Sequence, residues 1–249
     1  NKVDTLNKEE ARPIGELVNS MTGRGGIGKL AAVGRELNVL FFSVRFLKAN
    51  IDTLTMPITG KTKFARKEAA KNLLKIVGSI GAVLTIAKML DPDSVELDPR
   101  SSDFGKIKIG NTRFDLTGGM SSLTVLASRL VPTVHDGKLG LFTKSSTSGK
   151  FTDLLGGRFG QRTAGDILSN FWTGKFSPTA GVLRDIYRGE DFAGNEIALN
   201  SAEGRFNIVR NLTVPIPIMT YKELRDDPAS ANVFLSMILE GLGISANTY

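Results

Sequence analysis

The stretch that decides the fold class is Lys63-Phe64-Ala65-Arg66-Lys67-Glu68-Ala69-Ala70-Lys71-Asn72-Leu73-Leu74-Lys75-Ile76-Val77-Gly78-Ser79-Ile80-Gly81-Ala82-Val83-Leu84-Thr85-Ile86-Ala87-Lys88-Met89-Leu90. Its first half is basic and amphipathic, and from Leu73 onward it is almost continuously apolar. It is far too long for a strand, and Asp91, Pro92 and Asp93 supply a polar stop. One helix over 63–90 is predicted. The run from Leu73 to Leu90 lies near the lower limit for a bilayer span, roughly 17–25 residues. Lys75 and Lys88 lie near its ends, and Gly78, Gly81 and Ala82 offer small-residue spacing for close helix contacts. The preferred reading is the central core helix of a soluble bundle, and the alternative is a membrane-inserting segment.

Working outward, Asn1 to Met21 reads as a polar lead into a short helix with Pro13 in its first turn. Gly23 to Gly28 is a glycine-rich joint. Apolar residues recur at helical spacing from Ile27 to Ile51, and 50–60, with Pro57, reads as a connector. Beyond the long helix the period changes to two: Lys106–Ile109 and Thr112–Leu116 alternate around Gly110-Asn111, which predicts a β-hairpin. Helices are expected at 120–130, 163–172 (with Thr163 and Asp166 at capping-box spacing), 178–187 (capped by Ser177), 202–211, 220–225 and 228–241. Residues 136–150 and 189–200 read as loops, 214–218 as extended because of its two prolines, and 244–249 as a tail. The fold class is mainly α, an irregular multi-helix bundle with one small β-hairpin at about 106–116. The division expected is an N-terminal helical segment with its glycine-rich joint, 1–60, and a helical module carrying the hairpin, 61–249.

Lys and Arg number 32 against 25 Asp and Glu, giving a net charge of +7, and hydrophobic residues make up 41%. This composition suits a packed globular chain that tolerates a phosphate-rich or anionic neighbour. There is no cysteine and one histidine, His135, so disulfides, thiolate chemistry and His- or Cys-rich metal sites are excluded. The opening Asn1-Lys2-Val3-Asp4 has neither Met nor an apolar run after it, which suits a fragment or processed product of a larger polypeptide and no secretory signal.

Gly23, Gly28 and Lys29 have phosphate-loop spacing, but the residues before them read as helix and Leu30 stands where Ser or Thr would bind Mg²⁺. A helix-to-helix joint is the better reading, with a nucleotide-binding enzyme domain as the remote one. Asp91, Asp93, Glu96 and Asp98 lack the Ca²⁺-loop spacing, and His135 beside Asp136 has no nucleophile context. No catalytic, cofactor or metal residue is assigned. The candidate contacts for DNA or an anionic surface are Lys61, Lys63, Arg66, Lys67, Lys71 and Lys75.

The segment Val95–Gly119, with Gly149-Lys150, Gly157-Arg158-Phe159-Gly160, Lys175-Phe176-Ser177-Pro178 and Gly241–Tyr249, resembles the large polyvalent proteins of tailed phages over about residues 65–249. The resemblance implies a non-enzymatic helical module near the C-terminus of a very long chain. It also implies a protein packaged in the virion, in the capsid interior or the tail and portal region, and delivered with the DNA into the host. Its expected partners are copies of itself, other virion proteins, DNA or the host membrane. No small-molecule substrate and no cofactor are expected.

Overall fold

The computed structural model describes residues 8–26, 28–41, 44–157, 160–190, 196–197, 201–214 and 216–248. In chain order these form α1 (Lys8–Met21), a 3-10 turn (Gly28–Val33), α2 (Gly34–Leu40), α3 (Val44–Thr59), α4 (Lys63–Leu90), β1 (Lys106–Ile109), β2 (Thr112–Asp115) and α5 (Met120–Leu130). There follow β3 (Thr133–His135), β4 (Lys138–Gly140), β5 (Phe142–Lys144), β6 (Phe151–Asp153), α6 (Ala164–Thr173), α7 (Pro178–Arg188), α8 (Ala202–Thr213), α9 (Ile216–Asp226), α10 (Val233–Gly241) and β7 (Ser245–Thr248). The fold is mainly α. The chain forms two units, Asn1–Gly81 and Ala82–Tyr249.

In the first unit α1 lies on α3, with Leu17 and Ala49 buried. The Ser20 hydroxyl donates to Asp52 Oδ2 at 2.8 Å, and Lys48 forms an ion pair with the same carboxylate. The helix expected over 27–51 is broken: α2 ends at Phe41, whose extended backbone (φ −120°, ψ 137°) turns the chain. Conversely, α3 runs through the stretch read as a connector. Pro57 sits one turn from its end, and the hydroxyls of Thr53, Thr55 and Thr59 bond to carbonyls one turn back. Pro13 is likewise inside α1 rather than in its first turn. Gly60 keeps α4 close to α3, because a Cβ there would stand 2.8 Å from the Met56 carbonyl and 2.9 Å from Arg66 Cγ. Thr62 caps α4 by accepting from the Ala65 amide at 3.1 Å. The continuous helix 63–90 forms as predicted.

The second unit is organised on a three-stranded antiparallel sheet, β1-β2-β7. The hairpin forms in the expected register, Ile107 opposite Phe114 and Ile109 opposite Thr112. Gly110 has φ 58°, and its Cα approaches the chain so closely that a Cβ would lie 1.9 Å from the Ala229 carbonyl. Only glycine fits there. The tail expected at 244–249 is instead strand β7, which pairs with the other edge of β2. Phe114, Ala231 and Ala246 form the core, with Ile107, Leu239 and Ile244 packed against it.

Two further corrections concern segments read as irregular. Residues 133–153 hold two hairpins, β3-β4 and β5-β6, the first turning at Asp136-Gly137, both with positive φ. Their short strands and polar faces hide the alternation that marks a buried strand. Residues 216–218, expected to be extended, open α9, while Val214 is extended (φ −84°, ψ 122°) and Pro215 lies outside the described residues; Pro217 in a first helical turn forfeits no hydrogen bond. The final helix starts at Val233, capped by Asn232, later than the 228 expected. The capping box of Thr163 and Asp166 and the Ser177 cap both form.

Phe114→Ala is expected to destabilise the second unit by about 3–5 kcal/mol through its transfer and cavity costs. Gly110→Val adds a steric conflict at positive φ; both variants are read by denaturant unfolding against the parent chain.

Candidate functional site

The candidate basic residues lie on helix α4 and, in the case of Lys61, just before it, and the structure sorts them into two roles. Successive residues advance by about 100° around a helix, so Lys63, Lys67, Lys71 and Lys75 drift by about 40° per step along one flank. Ala65 and Ala69 occupy the opposite flank and are buried (1% and 4% exposed), and Asn72 there donates to Met21 Sδ at 3.6 Å. The lysine flank therefore faces away from the packing of its own unit. Lys63, Lys67, Lys71 and Lys75 are exposed. Lys71 lies 3.9 Å from Glu68, and Lys63, Lys67 and Lys75 have no ion pair among the described residues.

Lys61 and Arg66 do something else. Lys61 Nζ donates to Glu16 Oε1 at 2.8 Å, and Arg12 Nε reaches the same oxygen at 3.2 Å. The Lys61 hydrogen bond is the main reason that the Glu16 carboxyl titrates below its ordinary range. Arg66 lays its stem against Gly60. These two cations fasten the start of α4 to α1 and α3.

Past Leu73 the helix changes character. Leu84 is buried, but Leu74 (71%), Val77 (57%), Ile86 (59%), Met89 (80%) and Leu90 (83%) are exposed. On the helical wheel they spread over an arc of about 220°, too broad for one narrow groove, while Leu73, Ile76, Ile80, Leu84 and Ala87 on the remaining arc are less exposed. The expectation of a central core helix is thus corrected: α4 is long and apolar enough to cross a membrane, and the described residues do not enclose it.

The glycine-rich joint is fed by helix α1 and not by a strand, so its amides lack the frame of a phosphate loop. Gly23 takes φ 74°, and a Cβ on Gly25 would meet the Ser20 hydroxyl at 3.1 Å, so the glycines serve a tight exit from α1. Comparisons of the chain with family models, with curated proteins and with solved structures find no match. Among the described residues no group of three or more Asp, Glu or His converges as metal ligands would. His135 is on β3, with its ring 4.0 Å from that of Phe151 and 5.3 Å from that of Phe142.

The acidic stretch after α4 is used for fastening. Asp91 accepts from the Asp93 amide, Glu96 pairs with Lys144, and Asp98 holds Arg100 through two bonds of 3.0 and 2.9 Å. Arg100 lies over the Phe151 ring at 4.4 Å. Its carbonyl accepts from Arg129 Nε at 2.8 Å and from the Lys144 amide at 3.1 Å, joining α5 to β5. The sequence reading missed Arg129 and Arg162, which converge on one cavity beside β5 and β6. They lie far apart in the chain, and no local spacing signals them.

Two outcomes are expected. Replacing Lys67, Lys71 and Lys75 with Glu weakens duplex DNA binding and reduces the slope of log affinity against log salt by about 3, one phosphate contact for each lysine. The Arg100 hydrogen bond holds the Asp98 carboxyl below its ordinary value. The stability it contributes is present above about pH 4 and is lost as pH falls through the lowered pKa. Asp98→Asn flattens that acid limb in pH-dependent thermal unfolding.

Proposed function

We propose that the chain is a non-catalytic structural module of a phage virion-internal or DNA-delivery protein, acting by enclosure of α4 in a larger assembly. The observation that carries this reading is the exposed helix itself. A helix apolar around its whole circumference gains from burial on every side, at about 25 cal/mol per Å² of apolar surface removed from water. In this reading the irregular multi-helix bundle is completed only when helices from further copies or from other virion proteins surround 73–90. The lysine flank at 63–75 is left free to meet DNA. The resemblance over 65–249 supplies the setting, the capsid interior or the tail and portal region, with delivery into the host.

A second reading is favoured by one specific feature. From Leu73 to Leu90 the helix is about 27 Å long, close to the thickness of the hydrocarbon core of a bilayer, about 30 Å. Lys75 and Lys88 sit where their ammonium groups reach the headgroups, and the lysines before them suit anionic lipid. In that reading α4 is a membrane-active segment of a channel for the genome.

Light scattering after size exclusion is expected to show an assembly of defined order, which Val77→Asp with Ile86→Asp reduces to monomers. A parent chain that is monomeric at all concentrations and floats with anionic vesicles transfers the function to the membrane reading. A monomer that ignores vesicles removes both.

A further inference from the structure

We propose that the cavity between the end of α5, the β5-β6 hairpin and residues 160–162 is a binding site for a phosphate group. It measures about 470 Å³, within the range of small-ligand pockets. Arg129, Lys144 and Arg162 line it together with the hydroxyls of Ser146, Thr147 and Thr152, and among the described residues no Asp or Glu does. These are the donors that oxyanion recognition requires: planar guanidinium forks for paired bonds to phosphate oxygens, and short hydroxyls to complete the shell.

Arg129 shows why an anion is wanted. It is half-buried, and its Nε is committed to the Arg100 carbonyl. Its two terminal nitrogens have no partner among the described residues. Burial, with the Arg162 guanidinium added, pushes its pKa below the ordinary arginine value. Arg162 itself makes no ion pair among the described residues. Lys144 is neutralised by Glu96, whose side chain stands outside the lining. Among the described residues, then, two like charges face one cavity without a counter-charge, an arrangement that costs stability until an anion arrives.

The site is also held in shape. Arg100, fixed by Asp98 and seated over Phe151 of β6, presents the carbonyl that orients Arg129 from α5. The fork is thus positioned before any ligand binds, which lowers the ordering cost of binding. The hydroxyls of Ser146, Thr147 and Thr152 make no hydrogen bond among the described residues. Among the described residues no aromatic ring lines the cavity, so its described lining is suited to a phosphate group. The phosphate belongs either to a small polyphosphate or to the backbone of a nucleic acid.

Isothermal titration of the full chain with sodium pyrophosphate, and separately with a twelve-nucleotide single strand and its duplex, tests this. Arg162→Gln alters an exposed side chain, and Arg129→Lys keeps the charge but loses the fork. Each is expected to weaken the binding of whichever probe is taken up by about tenfold or more. The triple variant of Lys67, Lys71 and Lys75 should leave pyrophosphate binding unchanged. Uptake of pyrophosphate alone assigns the site to a small phosphate compound, and displacement of pyrophosphate by an oligonucleotide assigns it to a backbone. Absence of binding by all three probes at millimolar concentration overturns the proposal. So does binding that both arginine variants, folded by circular dichroism, retain in full.

Discussion

Strand β2 is the constraint on which the second unit depends, because all four of its residues are buried and both of its edges are paired. One face carries Thr112 and Phe114. The Thr112 hydroxyl accepts from the Ala231 amide at 3.0 Å and meets the Thr248 hydroxyl at 3.2 Å, so a single side chain joins the hairpin, the α9-α10 connection and β7. The other face carries Arg113 and Asp115, and burying them demands partners. Arg113 binds Asp103 at 3.0 Å and the Gly110 carbonyl at 3.2 Å, while Asp115 accepts from Thr117 and Ser121. The Gly110-Asn111 turn locks in from the end: the Asn111 amide donates to the Ala229 carbonyl, and its side chain donates to Asp227. Contacts spanning more than a hundred residues thus bring the end of the chain back to the hairpin.

Helix α4 follows a different logic. Its first turns are fixed by local chemistry, the Thr62 cap, the close approach at Gly60 and the Lys61–Glu16 pair. Past Leu73 its surface has the composition of a core and the exposure of a surface. Local satisfaction of the backbone lets such a helix persist, since its hydrogen bonds close within the segment. The described residues leave many of its apolar side chains exposed. In the proposed assembly, a basic flank and an apolar surface on one helix would divide the labour: charge attracts and orients, and apolar burial holds.

The two sources of positive charge differ in kind. The lysines of α4 are flexible point charges in water, suited to a salt-sensitive, sequence-indifferent contact. Arg129 and Arg162 are planar donors at a concave surface, one of them half-buried and pinned by a backbone carbonyl. Strong attraction in a recess comes from the second kind, where water screens less.

Elements ruled by near neighbours in the chain were legible in the sequence: α4 and its stop at Pro92, the Gly110-Asn111 hairpin, and the caps at Thr163 and Ser177. Each rests on periodicity, glycine or a capping hydroxyl acting within a few residues. Where a distant partner decides, the sequence was silent or misleading. Ser245–Thr248 has no strand signature of its own and is a strand because β2 offers it an edge. The hairpins at 133–153 are too short and polar to show a buried face. The prolines at 215 and 217 suggested extended chain, yet Pro217 lies in the first turn of α9 because a helix's first amides need no acceptor. The basic stripe could be read from spacing, but its division into fastening and free cations depends on Glu16 being brought beside Lys61. The Arg129 and Arg162 cavity is likewise a product of tertiary structure alone, because it joins residues that only folding makes neighbours.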